Sequence, residues 1–155
     1  MKHNKLLQIG LISLSTQFMG SYAIASPKNC THSATQLKCL EFVQNYDGDT
    51  LTVNIPSTHP LFGQKIKISL NEAKTPSLNS KDKCAKAIAD KAKFTTRKML
   101  KAAKYIEILA AKRDRNFGLK GKIMVDGKDL AAELQKAKLA VPTKDYKKTD
   151  WCKLK

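Results

Sequence analysis

Three sets of side chains in this 155-residue chain have the types and spacing to do chemistry. The first is a carboxylate set on a tight turn. Tyr46-Asp47-Gly48-Asp49-Thr50-Leu51-Thr52-Val53 reads as a turn opening into an alternating strand, and Ile66-Lys67-Ile68-Ser69-Leu70 leads into Lys74-Thr75-Pro76-Ser77. A carboxylate such as Asp49 can hold a hard cation among other oxygen ligands, whereas an ammonium such as Lys74 repels one. The second set is the four cysteines, Cys30, Cys39, Cys84 and Cys152. An even count in a small exported domain reads as two disulfides. Four cysteines permit three pairings, among which sequence does not strictly choose. Locality favours Cys30–Cys39, which leaves Cys84–Cys152. The third set is cationic: Lys86, Lys91, Lys93, Arg97, Lys98, Lys101 and Lys104 stud one segment, with Asp90 the one acid among them. His32 and His59 are isolated and no Cys-x-x-Cys pair is present, so no zinc-like spacing emerges.

These sets need elements to position them. Lys2, His3 and Lys5 precede an apolar stretch from Leu6 to about Ala25, and Ala23-Ile24-Ala25 is a small-x-small site before Ser26. The pattern predicts a signal peptide over 1–25 that is removed, leaving no membrane span and an exported, periplasmic or secreted protein. The formal net charge is +16; Lys2 and Lys5 would leave with the leader, giving +14. Such a surface steers polyanions by long-range Coulomb attraction: nucleic acid, anionic lipid or acidic glycan. The plainer alternative is a solubilising coat with no specific partner.

Residues 26–39 read as a polar, loose tether. Leu40 to Tyr46 favours strand, and Asp47-Gly48 is a hairpin signal. Leu51, Val53 and Ile55 alternate with polar residues, as do Ile66, Ile68 and Leu70. Residues 56–63 read as a loop. From Asp82 to Lys104 the period is helical, with Ile88, Ala92, Thr95, Met99 and Ala103 on one stripe and Cys84 a turn earlier. Ile106 and Ile108 begin a fourth strand. Leu119, Ile123 and Val125 mark a fifth, and Asp129 to Lys136 a second helix. Residues 144–155 read as a basic tail. Three strands, helix, two strands, helix is the order of an α+β, mainly β, five-stranded OB-type barrel with two to three helices, occupying residues 40–143.

On these residues the chain resembles the staphylococcal-nuclease (thermonuclease) family, from about Leu40 to Val141. The likeness rests on the Asp-Gly-Asp-Thr turn, Thr75-Pro76, Asp114-Arg115, the Asp-Gly-Lys-Asp-Leu run at 126–130 and Leu139-Ala140. It also looks like an exported bacterial subgroup, through the Asn54-Ile55-Pro56 to His59-Pro60-Leu61-Phe62-Gly63 insert, the cysteine heading the helix and the closing Trp151-Cys152. The resemblance implies calcium-assisted hydrolysis of DNA or RNA phosphodiesters. Two aspartates and a threonine carbonyl hold the cation, a glutamate activates water, and two arginines neutralise the phosphate.

Here Asp49 and Thr75 keep their family positions. The second metal aspartate reads Lys74, the glutamate Ser77, the first arginine Ser69 and the second Gly118, or Leu119 if the alignment slips by one. The aromatic before that arginine reads Asn116, and the tyrosine after Leu139-Ala140 reads Thr143. A shifted register would offer Glu72 as a ligand and Arg113 and Arg115 as electrophiles, but Thr75-Pro76 and strand alternation oppose the shift. The resulting expectation is a monomeric thermonuclease-like protein that lacks phosphodiesterase catalysis and binds no cofactor. It would bind an anionic polymer or an envelope protein through Lys86, Lys93, Arg97, Lys101, Lys104 and Arg115. The alternatives are a weak or altered calcium-dependent nuclease and a structural module of the cell envelope.

Overall fold

The computed structural model describes residues 29–154. The predicted signal peptide at 1–25 lies outside the described residues. No helix among the described residues is long and apolar enough to cross a membrane.

The fold is α+β and mainly strands. Strands β1 (Glu41–Asn45), β2 (Thr50–Asn54) and β3 (Ile66–Leu70) form an antiparallel meander. A one-turn helix α1 (Pro60–Gly63) sits in the 56–63 loop, where the His59 ring accepts from the Leu61 N–H. A two-residue strand β4 (Ala73–Lys74) precedes the long helix α2 (Lys83–Ala102). Then come β5 (Ile106–Arg113), β6 (Leu119–Val125), β7 (Lys128–Asp129), α3 (Leu130–Lys136) and β8 (Val141–Pro142). The chain closes with two 3₁₀ turns, Tyr146–Lys148 and Trp151–Lys153.

The main sheet runs β1-β2-β3-β6-β5, with β3 and β6 parallel and β7 appended to β6. Alternation makes one face: Leu51, Val53, Ile68, Leu70, Ile108 and Ile123 are buried together. Leu130 and Leu134 of α3 and Leu100 of α2 fill the concave side. The sheet of five main strands curls into a half-barrel. The edges β1 and β5 do not pair with each other. Instead, the segment before β1 lies against β5, where Leu37 and Ile108 exchange both backbone hydrogen bonds and the Leu40 N–H reaches the Ile106 carbonyl. The segment predicted to be a loose tether is therefore held along the edge of β5. The isolated His32 holds it too: Nδ1 accepts from the Lys38 N–H at 3.2 Å, and Nε2 lies 2.7 Å from the Pro56 carbonyl.

Two predicted patterns shift. The α2 stripe that is buried is Ala85, Ala89, Ala92, Thr96 and Leu100; Ile88, Met99 and Ala103 lie on its flank, partly covered. The basic tail is also folded. Trp151 is buried with Ala85 and Val141, and the Tyr146 ring meets it edge-on at 6.2 Å. The disulfides are Cys30–Cys39 and Cys84–Cys152, with Cα–Cα separations of 5.4 and 5.3 Å. Disulfides persist in oxidising environments, which points to an extracellular setting.

Candidate functional site

The turn at 46–49 is set by its own side chains. The Asp47 carboxylate accepts the Asp49 N–H at 3.0 Å. Asn45, buried at the end of β1, donates to the Asp47 carbonyl and the Lys93 carbonyl at 2.8 and 2.9 Å. Its Oδ1 accepts from Arg97 Nε at 3.2 Å. Helix α2 therefore lies directly against the turn. Only glycine fits at position 48 in that contact: a Cβ there would sit 2.7 Å from the Ala92 Cβ and 2.6 Å from the Thr75 Cγ2. The small residues of α2 permit this approach, and Thr96 Oγ1 secures it by donating to the Gly48 carbonyl at 2.7 Å.

The Asp49 side chain is turned inward and is 4% exposed. Its Oδ2 lies 3.1 Å from Lys74 Nζ and 3.4 Å from the Thr75 N–H. Thr50 Oγ1 donates to Oδ1 at 3.4 Å. Burial pushes the Asp49 carboxyl up to about 6, and the neighbouring Asp47 adds to this by hydrogen bond and by charge. The Lys74 ammonium opposes both but does not offset them. The pair is therefore an ion pair above about pH 6 and a neutral acid beside an ammonium below it. The buried Thr75 Oγ1 has no hydrogen-bond partner among the described residues.

A cleft of about 650 Å³ opens over this pair. Asp47, Asp49, Lys74, Thr75, Ser77 and Thr143 line it, as do Lys144, Tyr146 and Lys147 from the tail. The tail arrives there because β4 and β8 form a two-residue ladder, with Lys74 opposite Val141. Thr143 continues that contact, its Oγ1 donating to the Asn71 carbonyl at 2.9 Å. Sequence reasoning misses Tyr146. Its only advance signal is a tyrosine in a lysine-rich segment, which carries no register.

The other predicted positions are spread out. Ser69 is half-buried in β3, opposite Thr50 on one side and Lys120 on the other. Lys120 thus lies beside the position where the resemblance expects an arginine. Gly118 is buried in the β5–β6 turn, where a Cβ would meet Asp114 Oδ2 at 2.7 Å and the Lys67 carbonyl at 3.0 Å. A long side chain there would require the turn to move. On α2, Lys86, Arg97 and Lys101 are exposed and Lys93 is half-buried. Their spacing places these four on one strip at 100° per residue, alongside the buried stripe. Lys104 is exposed just beyond the end of the helix. Arg115 is not among them: it sits exposed on the β5–β6 turn.

A hard cation such as calcium takes about six to eight oxygen ligands. Around Asp49 one carboxylate oxygen already faces an ammonium, and the nearest further carboxyl is that of Asp47. This donor set suits the tethered ammonium and does not suit calcium. The only metal-ligating group of three among the described residues is Asp82, Cys84 and Cys152, whose two sulfurs are joined in the disulfide. No protein-family model matches the chain and no curated protein is significantly similar to it.

Proposed function

We propose that this protein is an exported, thermonuclease-like domain, built on a variant of the OB barrel, that works as a basic binding module for an anionic polymer and not as a phosphodiesterase. The observation that carries this reading is the Lys74–Asp49 pair at 3.1 Å. Where the resemblance calls for two carboxylates around a divalent cation, one carboxylate is neutralised by a covalently attached cation. Phosphodiester hydrolysis needs the metal, the water-activating carboxylate and the phosphate-neutralising arginines together, because these groups act as a unit. Ser69, Ser77 and Gly118 at the remaining positions supply neither the water-activating carboxylate nor the two arginines that the resemblance calls for.

What remains is a surface of cations: the α2 strip, and Lys144 and Lys147 at the cleft. Lysines meet phosphate or sulfate as point charges, so binding would be largely independent of sequence. The test is a calcium-supplemented nuclease assay on single- and double-stranded substrates, run beside a gel shift of the same samples and a parallel titration with an acidic glycan. The expected outcome is retardation without cleavage, weakening steeply with salt through counterion release. Turnover that disappears in Asp49→Ala would establish the altered-nuclease reading instead.

A further inference from the structure

A second surface, independent of the cleft and of the α2 strip, is apolar. Leu61 is 75% exposed, Phe62 61% and Phe117 87%. The first two are on α1 and the third is on the β5–β6 turn, yet all three border one groove of about 590 Å³ together with Ile66 and Arg113. Single exposed apolar residues need no explanation, but a contiguous cluster marks an interaction surface.

The turn that carries Phe117 is held by its neighbours. Asp114 Oδ1 accepts the Asn116 and Gly118 N–H groups at 2.7 and 2.8 Å, and Arg113 donates to the Phe117 carbonyl at 3.0 Å. These bonds keep Phe117 at φ +61°, a conformation that bulky residues rarely adopt. The fold thus holds its most exposed aromatic side chain in a strained position on the outside, and such strain collects where a structure serves a function.

The rim decides the occupant. Lys65, Lys112, Arg113 and Arg115 are exposed around the cluster. The acid among them, Asp114, is engaged in the turn bonds. A second copy of so basic a chain, +14 once the predicted leader is removed, would be repelled. The partner is therefore anionic and accepts apolar side chains that project from two adjacent loops. An anionic lipid bilayer meets both requirements: phosphate headgroups face the cations, and the acyl boundary takes up the projecting side chains without a complementary mould.

We infer that the α1 and β5–β6 tips form a membrane-docking surface, in which Leu61, Phe62 and Phe117 insert into the interface of an anionic bilayer. This goes beyond the polymer-binding reading and does not depend on it.

The test is sedimentation with phosphatidylethanolamine–phosphatidylglycerol vesicles, and with phosphatidylcholine vesicles as the uncharged arm. Binding to the anionic vesicles should persist at salt concentrations that release the protein from nucleic acid. Phe117→Ser and Leu61→Ser should each weaken it about tenfold, with unchanged Tm and an unchanged gel shift. A Phe117→Trp variant reads insertion directly, because the native Trp151 is buried elsewhere. Its added emission should shift to the blue on vesicles and be quenched by brominated lipid. Three results would overturn the proposal: an unshifted emission, equal binding to phosphatidylcholine, or adhesion that falls with Lys93→Glu and Lys101→Glu but not with Phe117→Ser. Capture of a protein partner by the intact tip, with no vesicle binding, would overturn it as well.

Discussion

Thr96 Oγ1 and the Gly48 carbonyl meet at 2.7 Å, and this bond ties the middle of α2 to the turn that carries Asp49. Both groups are buried, so the bond is made in place of water. Thr96→Val keeps the shape and orphans the carbonyl, which should cost about 1–3 kcal/mol. Thr75 is the counter-case, because its buried hydroxyl has no partner to lose. Thr75→Val should be neutral or stabilise by up to about 1 kcal/mol. Denaturant titrations should show a loss for Thr96→Val and none for Thr75→Val; destabilisation by both would show that Thr75 has an unrecognised partner.

Gly48→Ala tests the closeness of the same contact. The added methyl meets Ala92 Cβ, which has no rotamer to escape into. The cost should be about 1–3 kcal/mol by overpacking. Pairing it with Ala92→Gly should recover part of the loss, and a purely additive double variant would argue against the direct clash.

The raised Asp49 carboxyl makes stability depend on pH in a specific direction. A carboxyl titrating near 6 when folded and near 3.8 when unfolded binds its proton more tightly in the native state. Its favourable contribution is present below about pH 4 and is lost as pH rises through 6, at no more than about 1.4 kcal/mol per pH unit. Asp49→Asn should therefore raise Tm at pH 7.5 and leave it nearly unchanged at pH 4. Lys74→Ala should push the Asp49 carboxyl higher still, because it removes the charge that opposes the shift. An NMR titration of the Asp49 side-chain carbon reads both effects.

The two disulfides should differ in their contributions. Cys84–Cys152 spans 68 residues and Cys30–Cys39 spans 9. The chain-entropy account assigns about 4 kcal/mol to the long loop and about 3 kcal/mol to the short one. Cys84→Ser with Cys152→Ser should also free Trp151 from Ala85 and Val141, so that its fluorescence reports the loosened tail before global unfolding. Loss of Cys30–Cys39 should leave that signal unchanged.

The α2 strip and the adjoining Lys104 carry a separate prediction. Charge reversal at Lys86, Lys101 and Lys104 should weaken polyanion binding at least tenfold at low salt. It should also flatten the salt dependence by about one unit of slope for each phosphate that is no longer neutralised. Arg97 is a less clean probe because it also bonds Asn45. Reversal there should cost stability as well as affinity. Unchanged binding in the triple variant would leave the cations as a solubilising coat.

The strands and both longer helices are legible in the sequence because each carries its own period. What sequence does not show depends on contacts between distant residues. Hydrophobicity draws the α2 stripe through Ile88, Ala92, Thr95, Met99 and Ala103, centred on the larger side chains, and of these only Ala92 lies on the fully buried line. The helix turns Ala85, Ala89 and Ala92 inward: Ala92 meets the backbone turn at Gly48, which only a small side chain can approach, and Ala85 packs under Trp151 and Val141. The β4–β8 ladder has two residues a side and therefore no period to read, yet it brings Tyr146 and Lys147 to the cleft. The edge of β5 is covered by the Leu37–Ile108 bridge and by single bonds at Thr35 and Leu40, between residues far apart in the chain that no local pattern announces.

The irregular register of β1 between Phe42 and Gln44 has its own consequence. Val43 falls in that gap, opposite no residue of β2, and is 41% exposed. An edge strand offers its backbone to any extended chain that it meets. A bulge there, next to the charged Glu41, spoils the straight row of donors and acceptors that such a chain would copy. Deleting Val43 would restore a regular ladder and, with it, a template for aggregation. The interruption in β1 therefore makes the free edge of this strand a poor template for a second chain.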